Sequence, residues 1–232
     1  MVYLIHQLTM YKKHKISCII SCYNEEEGIR ETLKVIPSYI DEVIVVDNNS
    51  TDRTAEIAKK MGAKVVFEKK KGYGVSYKKG FTKVDGEIIA VLDGDGTYPS
   101  SKIAKLVDFI IENNLDFVSG CRFPLKDKKS MRRRNIIGNN ILSFFFCFLY
   151  RHQIKDSQSG MWVFKKSLLN RLKLLSNGMS FSEEIKIEAI SKGRFGECHI
   201  EYYERTGKTK LYPFKDGIKN LIFLFTKKFI RR

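Results

Sequence analysis

The stretch Glu87-Ile88-Ile89-Ala90-Val91-Leu92-Asp93-Gly94-Asp95-Gly96-Thr97-Tyr98-Pro99 decides how this chain reads. Its first half is a short apolar run, which predicts a buried strand. Asp93 and Asp95 stand one residue apart where that strand ends, each followed by glycine, and Pro99 stops the extended run. Two carboxylates so close repel each other, so keeping both ionised calls for a cation. Oxygen ligands suit a hard divalent ion, Mg²⁺ or Mn²⁺, shared with a substrate diphosphate. Gly94 would let the backbone approach a ligand. Taken alone, the same residues also fit a plain acidic turn, because turns favour Asp and Gly.

Upstream, residues 16–22, 42–47 and 64–67 are further apolar runs with the look of buried strands. Between them, 29–36 and 54–61 carry helical spacing, the first ended by Pro37 and the second by Gly62. Alternating strand and helix predicts an α/β fold with a doubly wound, mostly parallel sheet. In such sheets ligands bind beyond the carboxyl ends of the strands. Tyr23, Asn24, Glu25, Asp47, Asp93 and Asp95 all fall just after strand ends.

Downstream, Lys71 and Gly72 belong to a basic glycine-containing loop before a helix that runs to residue 81; such a loop fits phosphate or is simply solvated. Residues 103–111 read as a helix and 116–120 as a strand followed by Arg122. A basic cluster, 126–134, precedes the aromatic-rich helix 136–150. That pairing fits an interfacial membrane element, or equally a buried core helix after a solvated charge run. Residues 156–164 mix polar and aromatic side chains. Ser182 is placed to cap a helix over 185–191, and 197–203 reads as a strand. A basic loop over 205–211 suits phosphate, and 217–232 forms an amphipathic, basic-ended helix.

The 232 residues suit one α/β domain with a small appendage: a catalytic unit over 1–211 and a terminal basic helix over 212–232. A net charge of +16 predicts anionic partners: a nucleotide, nucleic acid or an anionic membrane face. The five scattered cysteines give no disulfide framework or zinc pattern, as expected in a reducing cytosol. No run approaches the ~20 apolar residues that span a bilayer, and the first 15 residues do not fit a secretory signal.

The chain resembles the family-2 glycosyltransferases of the GT-A fold, most closely the branch of dolichyl-phosphate mannose and glucose synthases. Cys22-Tyr23-Asn24-Glu25 is similar to that family's Pro-x-Tyr-Asn-Glu opening, and residues 47–54 match its Asp-x-x-Ser-x-Asp-x-Thr element. Lys71 to Phe81 resembles its Gly-Lys-Gly region, and Asp93-Gly94-Asp95 its Asp-x-Asp. Residues 156–164 resemble Asp-x-x-Ser-Gly-Phe, and 205–211 resemble Arg-x-Gly-x-Ser-Lys-Leu. Proline is missing before Tyr23, Met161 replaces an aromatic residue and Thr209 a serine, which blurs the substrate more than the chemistry.

The resemblance implies a Rossmann-like sheet flanked by helices, with amphipathic membrane-associating helices added. It implies inverting transfer of mannose or glucose from a GDP- or UDP-hexose. Tyr23, Asn24, Glu25, Asp47, Ser50, Lys71, Gly72 and Gly94 would line the donor, and Asp93 and Asp95 would hold Mg²⁺ or Mn²⁺. With a polyprenyl (dolichyl) phosphate acceptor, Arg122, Arg134, Arg205 and Lys210 would hold the phosphate, and the protein would sit peripherally on the cytoplasmic membrane face. With a saccharide hydroxyl acceptor, Asp156, Glu183 or Glu184 would serve as base. A basic nucleic-acid-binding module is the rival of another class, but no helix-turn-helix, zinc or RNA-binding signature accompanies the charge.

Overall fold

The apolar runs become strands and the periodic segments between them become helices. The computed structural model describes residues 11–207 and 213–230. The first half alternates regularly: β1 (Ile16–Cys22), α1 (Glu26–Lys34), β2 (Glu42–Asp47), α2 (Thr54–Lys60), β3 (Lys64–Phe67), α3 (Tyr73–Phe81) and β4 (Ile88–Asp93). A 3₁₀ turn, Ser100–Lys102, leads into α4 (Ile103–Glu112), β5 (Phe117–Cys121) and α5 (Arg133–Tyr150). Then come β6 (Trp162–Lys165), α6 (Lys166–Leu169), α7 (Phe181–Lys192), β7 (Phe195–His199) and α8 (Pro213–Ile230).

The seven strands form one sheet in the order β3-β2-β1-β4-β6-β5-β7. All neighbours are parallel except β6, which runs antiparallel to both β4 and β5. The strands lack a polar face because helices cover both sides. In β1, Ile16, Cys18, Ile20 and Cys22 join a core layer with Ile29 of α1, Ile57 of α2 and Leu106 of α4. Ile19 points the other way, into a layer with Tyr77 and Phe81 of α3 and Phe181 and Ile185 of α7. β4 alternates likewise, Ala90 and Leu92 against Ile89 and Val91. The register pairs Ser21 with Asp93 and Cys22 with Asp47, so the loops after β1, β2 and β4 open on the same rim.

Three local expectations are corrected. Residues 162–165, not singled out as a strand, insert antiparallel into the sheet, with Trp162, Val163 and Phe164 buried on its two faces. The last strand ends at His199 rather than 203. After Ile200 donates to the Cys121 carbonyl, the chain leaves the sheet, and Tyr203 N–H donates to the Thr97 carbonyl instead. Ser182 does not cap its helix: α7 starts at Phe181, and the Ser182 hydroxyl donates back to the Met179 carbonyl at 3.3 Å.

Helix α5 packs one face into the core and leaves another exposed. Leu142, Phe146 and Leu149 pack with Ile187 of α7 and Leu224 of α8. Ile137, Ile141, Phe144 and Phe148, spaced by four, three and four residues, form an outward apolar row. Helix α8 repeats the pattern, with Phe214, Ile218, Ile222 and Phe229 exposed. No helix among the described residues is long and apolar enough to cross a membrane.

Candidate active site

The rim at the ends of β1, β2 and β4 is held by short polar side chains. Asn24, with φ +54°, turns the chain after β1. Its N–H donates to the Ser50 hydroxyl at 2.9 Å, and its side-chain oxygen accepts from Thr51 N–H at 2.7 Å. Glu25 N–H donates to the Thr54 hydroxyl, and Asp52 accepts from Glu26 N–H and Thr54 N–H. Asp47, nearly buried, accepts from Ser50 N–H. The Asp-x-x-Ser-x-Asp-x-Thr element therefore zips the loops after β1 and β2 together. Lys71 reaches back across this rim and donates to the Tyr23 hydroxyl at 2.7 Å. Gly72, at φ +148°, brings the backbone against residue 177, where a Cβ would meet the Asn177 carbonyl at 2.4 Å.

Gly94 owes its identity to packing. A Cβ there would lie 2.3 Å from the Cys22 sulfur, so the acidic turn presses against the end of β1. Gly28 serves the same contact from the other side, its missing Cβ facing the Gly94 carbonyl at 2.6 Å.

Asp93 and Asp95 occupy different surroundings. Asp93 accepts from the Tyr77 hydroxyl at 2.8 Å, and Gly160 sits so near that a Cβ would come within 2.9 Å of its Oδ2. Burial, and next the charge of Asp95, push the Asp93 carboxyl up to about 7. Asp95 accepts from the Thr97 hydroxyl and N–H and pairs with Arg205, whose guanidinium also binds Glu25. Thr206 N–H donates to the Asp95 carbonyl, so segment 203–206 folds back over the acidic turn.

The other predicted site residues divide. Arg122 is buried and forms a two-pronged pair with Asp156, both N···O distances being 2.7 Å. Burial alone would raise the Asp156 carboxyl, but Arg122 overrides it and holds it below the usual range. Arg134 is exposed on the first turn of α5, and among the described residues no hydrogen bond or ion pair ties it to this cluster. Lys210 lies outside the described residues.

The three residues expected as possible bases are all sealed from solvent. Asp156 is committed to Arg122. Glu183 accepts from Gln158, and burial pushes its carboxyl well above the usual carboxylate range. Glu184 accepts from Leu175 and Ser176 N–H groups and pairs with Lys227 of α8 at 2.6 Å. None stands open to take a proton from a substrate hydroxyl.

The acidic pair fits a divalent cation. Its donors are hard oxygens, one carboxyl is driven up by burial and by its neighbour's charge, and a guanidinium already sits against the other. Among the described residues no group of three or more His, Cys, Asp or Glu side chains could hold a metal alone, so further ligands would come from substrate or water.

Sequence reasoning missed Tyr73, Tyr77 and Gly160 around Asp93, and Lys186 in α7. Tyr73 and Tyr77 stand four apart on α3, a spacing that marks one helix face but not what that face touches. Lys186 lies between Ile185 and Ile187, in a helix whose charged residues occur at every phase, and that was the available signal.

Known proteins resemble this chain in sequence and in fold. A dolichyl-phosphate hexose transferase of Haloferax volcanii is 35% identical over 214 residues, covering 90% of this chain and 92% of its own. Glycosyltransferase AglJ of the same organism is 33% identical, over 89% of this chain and 69% of that one. A dolichol-phosphate mannosyltransferase of Pyrococcus furiosus is 29% identical over 79% of this chain, which spans about half of its length (54%). Among solved structures, glucosyl-3-phosphoglycerate synthase of Mycobacterium tuberculosis, crystallised with Mn²⁺, UDP and glucosyl-3-phosphoglycerate, superimposes with a TM-score of 0.68. It covers 94% of this chain and 80% of its own at 16% identity, a likeness of fold. The profile of glycosyl transferase family 2 matches residues 17–173, from β1 through the acidic turn and β6 to the start of the loop before α7. Through that match the chain belongs to glycosyl transferase family 2 and is a nucleotide-sugar-dependent glycosyltransferase.

Proposed function

We propose that the enzyme moves a hexose, mannose or glucose, from a GDP- or UDP-sugar to a polyprenyl phosphate at the cytoplasmic face of a membrane. The observation that carries this reading is the sealing of Asp156, Glu183 and Glu184. A sugar hydroxyl needs a base to attack. A phosphate monoester is largely ionised at neutral pH, its second pKa being about 6, and needs only cations to hold it in line. The names of the Haloferax and Pyrococcus relatives support the same acceptor.

In this scheme the rim formed by Tyr23, Asn24, Glu25, Asp47, Ser50, Lys71, Gly72 and Gly94 receives the donor. Asp93 and Asp95 would hold Mg²⁺ or Mn²⁺, which when bound supplies Lewis-acid stabilisation of the departing nucleotide. Arg205 bridges Glu25 and Asp95, and in this scheme it would also meet the acceptor phosphate. Arg122 uses two of its five N–H groups on Asp156, leaving others for an acceptor oxyanion. The acceptor oxygen forms its bond to the anomeric carbon as the bond to the diphosphate breaks, inverting that centre. The outward apolar rows of α5 and α8, flanked by Arg133, Arg134, Lys215 and Lys228, suit the surface of an anionic bilayer.

Purified protein, Mn²⁺, labelled nucleotide hexose and vesicles carrying polyprenyl phosphate form the test. Label extracted into organic solvent is expected. Label confined to water-soluble saccharide would refute the acceptor.

A further inference from the structure

Residues 155–160 have no regular secondary structure, yet they set two groups of the site. Asp156 fixes Arg122, and Gly160 seats against Asp93. Backbone in such a stretch has no ladder of its own, so its buried polar groups need other partners. Here side chains from several elements supply them. Glu197 of β7 accepts from Lys155 and Asp156 N–H, and Ser143 and Asn139 of α5 accept from Ser157 and Gln158 N–H. The Tyr98 hydroxyl accepts from Gly160 N–H at 2.7 Å.

Two of the carbonyls converge on one side chain, and the Ser159 carbonyl also accepts from the Trp162 indole N–H at 2.8 Å. Lys186 of α7 donates to the Ser157 and Ser159 carbonyls, both at 2.7 Å, with no solvent exposure. Its ammonium lies 5.8 Å from the centre of the Trp162 ring. Burying an ammonium is costly, and filling this space alone would be done better by methionine. The site retains a charge because two carbonyls two residues apart must be drawn to one point.

We propose that Lys186 is a positioning residue for the transfer reaction: by tying the Ser157 and Ser159 carbonyls together it fixes Asp156, and through it Arg122, at one end of the loop and Gly160 beside Asp93 at the other. The proposal rests on the acceptor reading above. It predicts that the acceptor side of the reaction depends on Lys186 while the donor rim does not.

The groups facing the ammonium are Asp156 in the loop, Arg122 after β5, Glu197 on β7 and Glu183 on its own helix. Burial lowers Lys186 to about 8, against the pull of Asp156. Charge on this residue can therefore be removed in the unmodified enzyme by mild alkali.

The test uses the full chain with polyprenyl phosphate vesicles. In Lys186→Met, kcat/KM for the acceptor is expected to fall about 10- to 100-fold, the cost of a misplacement near 1 Å. KM for the nucleotide sugar should change less, because the loops after β1 and β2 are held by their own bonds and the 155–160 loop reaches the donor side only where Gly160 seats against Asp93. Unmodified enzyme should lose acceptor kcat/KM above about pH 8, and the variant should show no such decline. Wild-type acceptor kinetics in a folded Lys186→Met enzyme would overturn the proposal.

If the variant does not fold, hydrogen exchange of the unmodified protein decides. Protection of amides 156–160 should drop between pH 7 and 9 while that of α7 holds. Unchanged loop protection, with acceptor kcat/KM level across that range, overturns the proposal equally. Absence of any transfer to polyprenyl phosphate by the unmodified enzyme would instead refute the acceptor reading, and the exchange measurement would still report on Lys186.

Discussion

The proposed donor rim and the proposed acceptor side are built by opposite means. At the rim, hydroxyls and short carboxylates on the loops after β1 and β2 bond to backbone N–H groups near the surface. On the acceptor side, whole charges are buried: Arg122 with Asp156, Lys227 with Glu184 and Glu188, and Lys186 beneath the 155–160 loop. A rim of small polar bonds tolerates the loss of any one, each being worth about 1 kcal/mol. A buried ion pair is different, because removing one partner strands the other. Fixing a loop with charges makes the acceptor side rigid at the expense of making it fragile.

The largest effect should come where both halves meet. Asp95→Ala is expected to abolish metal-dependent transfer while the protein stays folded. Unchanged turnover would remove Asp95 from the chemistry. Next comes Asp156→Ala, which leaves Arg122 buried without its carboxylate. A loss of about 3–5 kcal/mol of stability is expected, read as a fall in the denaturation midpoint with an unchanged denaturant slope. By contrast Ser50→Ala at the rim should cost about 1 kcal/mol. Equal costs at the two positions would erase the contrast.

How much of this was legible follows the same division. The rim was readable because it sits at the ends of parallel strands, and β1, β2 and β4 announce themselves as unbroken apolar runs. The Asp-x-Asp turn and the loops of Asn24 and Asp47 followed from that topology. On the proposed acceptor side Arg122, Arg205 and Asp156 were named through the resemblance, but their buried pairing and Lys186 were not readable, for a physical reason. Helix α7 carries Glu183, Glu184, Lys186 and Glu188 on buried positions, so its sequence shows no apolar stripe by which to orient it. Pairing, which makes those charges tolerable inside, is a tertiary fact. Strand β6 was hidden likewise: Trp162 to Lys165 follows a polar loop, and only its insertion between β4 and β5 makes it a strand. For α5, pattern gave two readings because the helix has two apolar faces, one against α8 and one outward.

Arg205 sharpens the comparison because its contacts, with Glu25 of the rim and Asp95 of the turn, leave its place in the acceptor half to be tested. Arg205→Ala should raise the acceptor KM by about tenfold, the loss of one charge-assisted hydrogen bond, and change the donor KM much less. A rise in the donor KM alone would assign Arg205 to the rim.

The smallest expected effect is a gain. Asp93 is raised from 3.8 to about 7 by burial and by the charge of Asp95. A folded state that binds a proton more tightly than the unfolded chain gains stability below the unfolded pKa and loses it as pH rises through the folded one. Without metal, the contribution of Asp93 is therefore present at pH 4 and gone by pH 8. Asp93→Asn keeps a side-chain oxygen for the Tyr77 hydroxyl but carries no charge to desolvate. Its melting temperature at pH 8, without divalent ions, should exceed that of the unmodified protein by a few degrees, as about 1 kcal/mol gives in a chain of this size. At pH 4 the two should converge. Mn²⁺ should stabilise the unmodified protein more than the variant, because the carboxylate pair is what draws the cation. If Asp93→Asn instead melts lower than the unmodified protein at pH 8 without metal, the like-charge strain assigned to the acidic turn is already relieved, and Arg205 at Asp95 is the group to examine as its source.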